Sequence, residues 1–228
     1  MSLLTWNKTP DKIPTSRFAL EVWNGNGLCR REHTFEKSKL LEATLSLIIT
    51  KGYHGTTVDE ICAAAGVTKG SFFHYFKTKE DIGKAAIEQF ESMQAYLIAG
   101  AELDLVQDPW EKLQAYLDFF VALAKDPSSP SGCLTAVMTQ ELSDTHSEFR
   151  SLCEEKLFNN TKPLKKILDE VMEQYPSHIP TDSQQLSDYF LSLYQGSLIL
   201  AKARDNRIVL EKNVELFRQY LRSAFNKN

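Results

Sequence analysis

The chain has 228 residues, 43% hydrophobic and 25% charged, with a formal net charge of −4, a globular composition that excludes disorder and fibrous repeats. No run approaches the ~18 uncharged apolar residues of a membrane-spanning helix. Residues 1–27 lack the charged-then-apolar order of a secretory leader, so a cytoplasmic protein is expected. The charge is unevenly spread: residues 30–84 carry nine Lys/Arg against seven Asp/Glu, or +2, and residues 85–228 fourteen against twenty-one, or −7. A mildly basic front end on an acidic body suits contact with a polyanion at one end.

Residues 1–31 are rich in Pro, Asn, Gly and Thr, hold no sustained periodicity and read as a flexible extension. Leu40, Leu41, Thr44, Leu45, Leu47 and Ile48 then recur at helical spacing until Gly52 stops the helix. Thr57 with Glu60 three places on forms a capping box for a short second helix striped by Val58, Ile61 and Ala65 and ended by Gly66. Thr68 caps a third helix in which Phe72 and Phe76 share a face. A fourth follows Thr78, with Glu80 and Asp81 at its positive end. Further helices are predicted over 82–98, over 109–125 with Pro109 at its first position, and over 133–142 after the loop of residues 126–132. The last three run over 147–174, with Pro163 as a kink or break, then 183–205 and 208–226. No strand alternation, hairpin signal or internal repeat follows residue 30, so the fold is all-α: a helix-turn-helix unit over 32–80, then a helical unit over 81–228.

The corner from Thr57 to Phe76 is the informative segment. If Phe72 and Phe76 are buried, Lys69, Gly70, Phe73 and His74 face outward, an unusual surface for a helix that needs only to be soluble. In a major groove the same residues make sense. Lys69 can donate to guanine O6 and N7, Ser71 and His74 can bond base edges or phosphate, and an aromatic ring can touch a thymine methyl. Gly70 lets the helix start approach the duplex.

The run GYHGTTVDEICAAAGVTKGSFFHYFKTKEDI, residues 52–82, resembles the DNA-binding domain of TetR/AcrR repressors at nearly every position of that family's pattern. The resemblance implies that Thr57, with Thr56 beside it, lies near a phosphate, and that Thr68 caps the recognition helix and meets the backbone. It puts Lys69, Gly70, Ser71 and His74 on base edges and Phe73, Tyr75 and Lys79 against the phosphates. Phe73 departs from the pattern, which carries Tyr there, so a hydroxyl–phosphate bond worth on the order of 1 kcal/mol is missing.

For the later helices the resemblance implies effector binding, dimerisation and release from a palindromic operator, the sign of regulation being repression. The last two helices carry wide apolar stripes: Tyr189, Leu193 and Leu200 around the small Gly196 and Ser197, then Leu210, Val214, Phe217 and Leu221. They are expected to pair with a second copy; the alternative is a pair of core helices in a monomer. A two-fold dimer would space the recognition helices about 34–36 Å apart. Candidates to line a pocket for a hydrophobic effector are Phe90, Met93 and Leu97, then Trp110, Leu113, Tyr116, Leu117 and Phe120, then Met138, Tyr194 and Leu198; the alternative for each is ordinary core.

Cysteines stand at 29, 62, 133 and 153, with no CxxC pair, and read as reduced thiols, Cys62 and Cys153 as structural ones. Cys133 opens a helix within Gly132-Cys133-Leu134, where amides and dipole favour thiolate. The segment resembles a Gly-Cys-Leu subgroup, some of whose members respond to electrophiles or oxidants; packing is the alternative. The histidines show no metal spacing, and no P-loop, nucleophile elbow or dinucleotide fingerprint is present. No cofactor, metal or catalytic site is therefore expected. The competing function classes are an enzyme and a protein-interaction module.

Overall fold

The computed structural model describes residues 31–227, and these form ten α-helices and no strand. Of the extension predicted over 1–31, residues 1–30, with Cys29, lie outside the described residues, and Arg31 already belongs to a helix. Helix α1 spans Arg31–Lys51 and stops at Gly52, whose φ of +85° suits a residue without a side chain. Helix α2, Val58–Ala65, carries the capping box: Thr57 accepts from the Glu60 amide while Glu60 reaches back to Thr57. Gly66, at φ +66°, turns the chain out of α2. Helix α3, Lys69–Tyr75, starts under the Thr68 hydroxyl, and α4, Lys79–Ala99, under a second capping box of Thr78 and Asp81.

A 3-10 turn at Leu103–Leu105 leads to α5, Pro109–Lys125, capped by Asp108. Then come α6, Leu134–Leu142, and α7, Ser147–Asn159. Helix α8 is Lys162–Gln174, α9 Ser183–Arg204 and α10 Ile208–Ala224. The helix predicted over 147–174 is thus two helices. Pro163 sits in the first turn of α8, where its missing N–H costs no intrahelical bond, and the break falls just before it.

The buried side chains fall into two clusters. The first joins Leu40, Ile48, Ile61, Phe72, Ile82 and Phe90 of α1–α4 to Leu134, Met138 and Leu142 of α6 and Phe149 and Cys153 of α7. The second joins Leu113, Tyr116 and Leu117 of α5, Leu168 and Val171 of α8, Phe190 of α9, and Val214, Phe217 and Leu221 of α10. Tyr194 on α9 packs against both. Each such Leu or Phe contributes about 1.5–3 kcal/mol on full burial. The first cluster runs without interruption from α1 into α6 and α7, so anything that shifts α6 is felt under the helix-turn-helix.

Arg218 ties the second cluster together at its edge. It is almost fully buried, bonds Asp118 Oδ1 at 2.6 Å, Gln114 Oε1 at 2.9 Å and Glu215 Oε2 at 3.0 Å, and so pins α10 to α5.

The stripe predicted to meet a second copy needs correcting. Leu210, Val214, Phe217 and Leu221 are buried within the chain itself, because α10 packs against α5 and α9 along that face. Ser197 is buried too, and its hydroxyl donates to Leu193 O and accepts from Asn213. Tyr189 and Leu200 are exposed, and Leu193 and Gly196 are half-buried. The outward apolar face of α9 and α10 is instead Tyr189, Ile199, Leu200, Leu216 and Tyr220.

Candidate nucleic-acid interface

Two short helices meet at the Gly66 turn, and Phe72 and Phe76 anchor α3 in the first cluster. With those rings inward, Lys69, Gly70, Phe73 and His74 are all exposed. Phe73 is 56% exposed, and its ring stands edge-on to Phe72 at 5.2 Å. Lys69, Gly70, Phe73 and His74 therefore share one solvent-facing side of α3. Lys69 Nζ pairs with Asp59 Oδ1 of α2 at 2.7 Å, both ends exposed. Such a pair is too weak to hold the ammonium away from a base or phosphate. Around Gly70, the nearest atom to a built side-chain carbon is Thr68 Oγ1 at 3.6 Å, so the helix start is open to close approach.

Thr57 and Thr68 are exposed and both cap helices. Tyr75 is half-buried beside the Glu36 charge, and burial raises its phenol pKa. Lys79 is half-buried with Nζ 4.0 Å from the Tyr53 ring centroid, and burial pushes its pKa down. Two expectations fail. Thr56 is fully buried and its hydroxyl donates to Gly52 O at 2.8 Å, so it closes the loop after α1 and does not reach a phosphate. Ser71 lies on the side of α3 turned toward α1, and its hydroxyl donates to Glu36 Oε2 at 2.6 Å and so is engaged within the chain.

Sequence reasoning missed the residues that hold this unit to the rest of the chain. Glu141, on α6, accepts from the Tyr53 amide at 3.1 Å and the His54 amide at 2.8 Å, clamping the loop that leads to Thr57. Gly52 leaves room for that carboxylate, since an added side-chain carbon would overlap Glu141 Oε1. Lys202, on α9, donates to the carbonyls of Ile49 at 2.9 Å and Thr50 at 3.3 Å at the negative end of α1. Glu141 and Lys202 lie 87 and 152 residues from their partners, and no local pattern signals either.

The predicted effector residues divide between the two buried clusters, with Tyr194 packed against both. Phe90, Met93, Cys133, Met138 and Leu198 belong to the first cluster or pack against it, and Trp110, Leu113, Tyr116, Leu117 and Phe120 to the second. Leu97 is half-buried. None lines the cleft of about 430 Å³ between α4 and the α7–α8 junction. The expected thiolate at Cys133 also needs correcting. Cys133 immediately precedes α6, but burial pushes its thiol pKa up and outweighs the Ala136 and Thr135 amides and Gln195, which favour the anion. Cys62 and Cys153 are buried free thiols, in keeping with structural roles.

A capped helix pair whose second member turns a Lys, Gly, Phe and His face to solvent defines a helix-turn-helix DNA-binding regulator. Residues 40–86 match the model for bacterial regulatory proteins of the tetR family, and residues 109–217 that for the tetracyclin repressor-like C-terminal domain. The chain is 30% identical over 167 residues to the transcriptional regulator AcuR of Cereibacter sphaeroides, covering 72% of this chain and 74% of that one. It is 28% identical over 176 residues to the transcriptional repressor DhaR of Mycobacterium sp., covering 77% and 87%. The crystal structure of regulatory protein TetR from Rhodobacter sphaeroides aligns with TM-score 0.67 and 27% identity over 79% of this chain and 95% of that one. The chain belongs to the tetR family of transcriptional regulators.

Proposed function

We propose that the chain is a cytoplasmic repressor that grips a palindromic operator as a two-fold dimer and lets go when a small hydrophobic or electrophilic effector binds its helical body. Residues 32–80 act as the DNA-binding unit and 81–228 as the effector and dimerisation unit. The carrying observation is the outward face of α3, with Lys69, Gly70 and His74 around a Phe73 that is 56% exposed. Lys69 and His74 read base edges, Phe73 packs on a thymine methyl or the sugar-phosphate wall, and Thr57, Thr68, Tyr75 and Lys79 flank the backbone. Dimerisation is supported by the exposed Tyr189, Leu200, Leu216 and Tyr220 on α9 and α10, an apolar face of the kind that marks an interface.

Gly132-Cys133-Leu134 at the start of α6 supports placing the chain in the Gly-Cys-Leu subgroup. Because Cys133 is buried, an electrophile reaches it only after the start of α6 opens.

Fluorescence anisotropy on the DNA upstream of the chain's own gene tests the reading. Binding weakens steeply as salt rises, and Lys69→Ala and His74→Ala each lower affinity about tenfold. Absence of salt-dependent binding to that DNA overturns it.

A further inference from the structure

The cleft between α4 and the α7–α8 junction holds a feature that the DNA reading does not use. Among its lining residues Glu91 is 9% exposed, a carboxylate nine-tenths buried. Thr135 Oγ1, on α6, donates to it at 2.8 Å, and the Asn160 side chain also bonds it. Among the described residues Glu91 has no ion pair: Lys156, which also lines the cleft, has its Nζ shared between Glu88 Oε2 and Glu155 Oε1, each at 3.0 Å. Burial dominates at Glu91 and raises its pKa, and the Thr135 and Asn160 hydrogen bonds and then the Lys156 charge offset only part of it. The charges lining the cleft are two carboxylates and one ammonium, and its apolar lining is Ala95, Ile98 and Ala99 of α4 with Pro163 of α8 on the other side. A buried acid without an ion-pair partner, beside apolar side chains, suits a ligand that brings its own positive charge and an apolar tail.

We infer that this cleft binds a small amphipathic organic cation, a protonated primary amine on a short alkyl chain, with Glu91 as its counter-ion and its tail seated between Ala95 and Ile98 of α4 and Pro163 of α8. The three N–H groups of the ammonium match Glu91 together with the Ser92 and Asn159 side chains that line the same space. The site also has a route to the DNA-binding unit. Thr135, which holds Glu91, and Glu141, which holds the Tyr53 and His54 amides, lie six residues apart on α6, roughly 9 Å along one short helix. In its regulatory consequence the inference rests on the effector-released repressor proposed above.

Isothermal titration of the full chain with hexylamine, with hexanol and hexanoate as controls, tests the cleft. Wild type binds hexylamine at least about tenfold more tightly than either control, and Glu91→Gln removes that preference. Gln keeps an acceptor for Thr135 and removes a buried charge, so the variant melts no lower than wild type. Ala95→Trp fills the mouth with an indole while leaving Glu91 in place, and it also loses hexylamine. Equal binding of the amine and hexanol, or undiminished amine binding in both variants, overturns the inference. Anisotropy on the upstream DNA separates the two proposals. Salt-dependent DNA binding without amine binding refutes the cleft and leaves the repressor standing; amine binding without DNA binding does the reverse.

Discussion

Glu141 offers the sharpest test of how the helix-turn-helix is held. Its carboxylate accepts two backbone N–H groups, and a hydrogen bond to a charged acceptor is worth about 1.5–3 kcal/mol net. The two donors are not equivalent. His54 is exposed, and its amide can return to water, whereas Tyr53 is buried and an amide left without a partner there costs about 1–3 kcal/mol. Glu141→Ala should therefore destabilise by about 2–4 kcal/mol, and Glu141→Gln, which keeps one acceptor oxygen, by about half as much. Gly52→Ala attacks the same clamp from the other side, combining a positive φ that alanine adopts at a cost of about 1 kcal/mol with an overlap on Oε1. In the Glu141→Ala background the overlap is gone and only the backbone cost remains, so the two substitutions are less than additive. Urea unfolding followed by circular dichroism on the four proteins of this cycle measures all the terms. A Glu141→Ala change below about 0.5 kcal/mol, or strict additivity with Gly52→Ala, refutes the reasoning.

Arg218→Ala should cost about 2–3 kcal/mol in the same assay, because a buried guanidinium loses its bonds to α5, while Asp118→Ala should cost under about 1 kcal/mol, since Asp118 is 71% exposed and Glu215 still pairs. Equal costs would contradict this. The hydrogen bonds from Lys51 and then Thr57 hold the Glu60 carboxyl down from 4.5 to about 2. With the folded value depressed, its contribution is complete above about 4.5 and is lost only as pH falls through about 2. A Glu60 carbon-13 titration midpoint near 4.5 would refute the capping geometry. At pH 8, Cys133 should be alkylated by iodoacetamide at least about tenfold more slowly than free cysteine, its thiol being buried with a raised pKa; a rate matching free cysteine would show that α6 does not shield it.

What could be read from the sequence was set by distance along the chain. The Thr57–Glu60 box, the Gly66 stop, the Thr68 and Thr78 caps and the Phe72–Phe76 face all involve partners within a few residues, and all were legible. Ser71 and Thr56 were misplaced for one reason. A hydroxyl at a helix start satisfies either a nucleic acid or a neighbouring helix, and Glu36 and Gly52 O, which decide between the two, come from α1 and the loop after it. On α10 the period that marks a buried stripe is the same whether a partner copy or α5 covers it. Hence Leu210, Val214, Phe217 and Leu221 read as an interface although the chain buries them itself.

The same limit hid the elements that join the two ends of the molecule. Helix α6 is nine residues long, and Leu134, Thr135, Met138 and Leu142 along it are wholly buried, so it moves as a unit or not at all. Cys133 and Thr135 stand at its start, and Glu141 near its end grips the loop before Thr57. Lys202 grips the last carbonyls of α1 from α9, the helix that carries part of the outward apolar face. The segment that carries the exposed face of α3 is thus held at two adjacent points by two different helices of the body. A displacement of either α6 or α9 by the length of a hydrogen bond must either break its grip or carry α1 and the following loop with it. Phe72 and Phe76 fix α3 to that same core, so the orientation of Lys69, Phe73 and His74 follows.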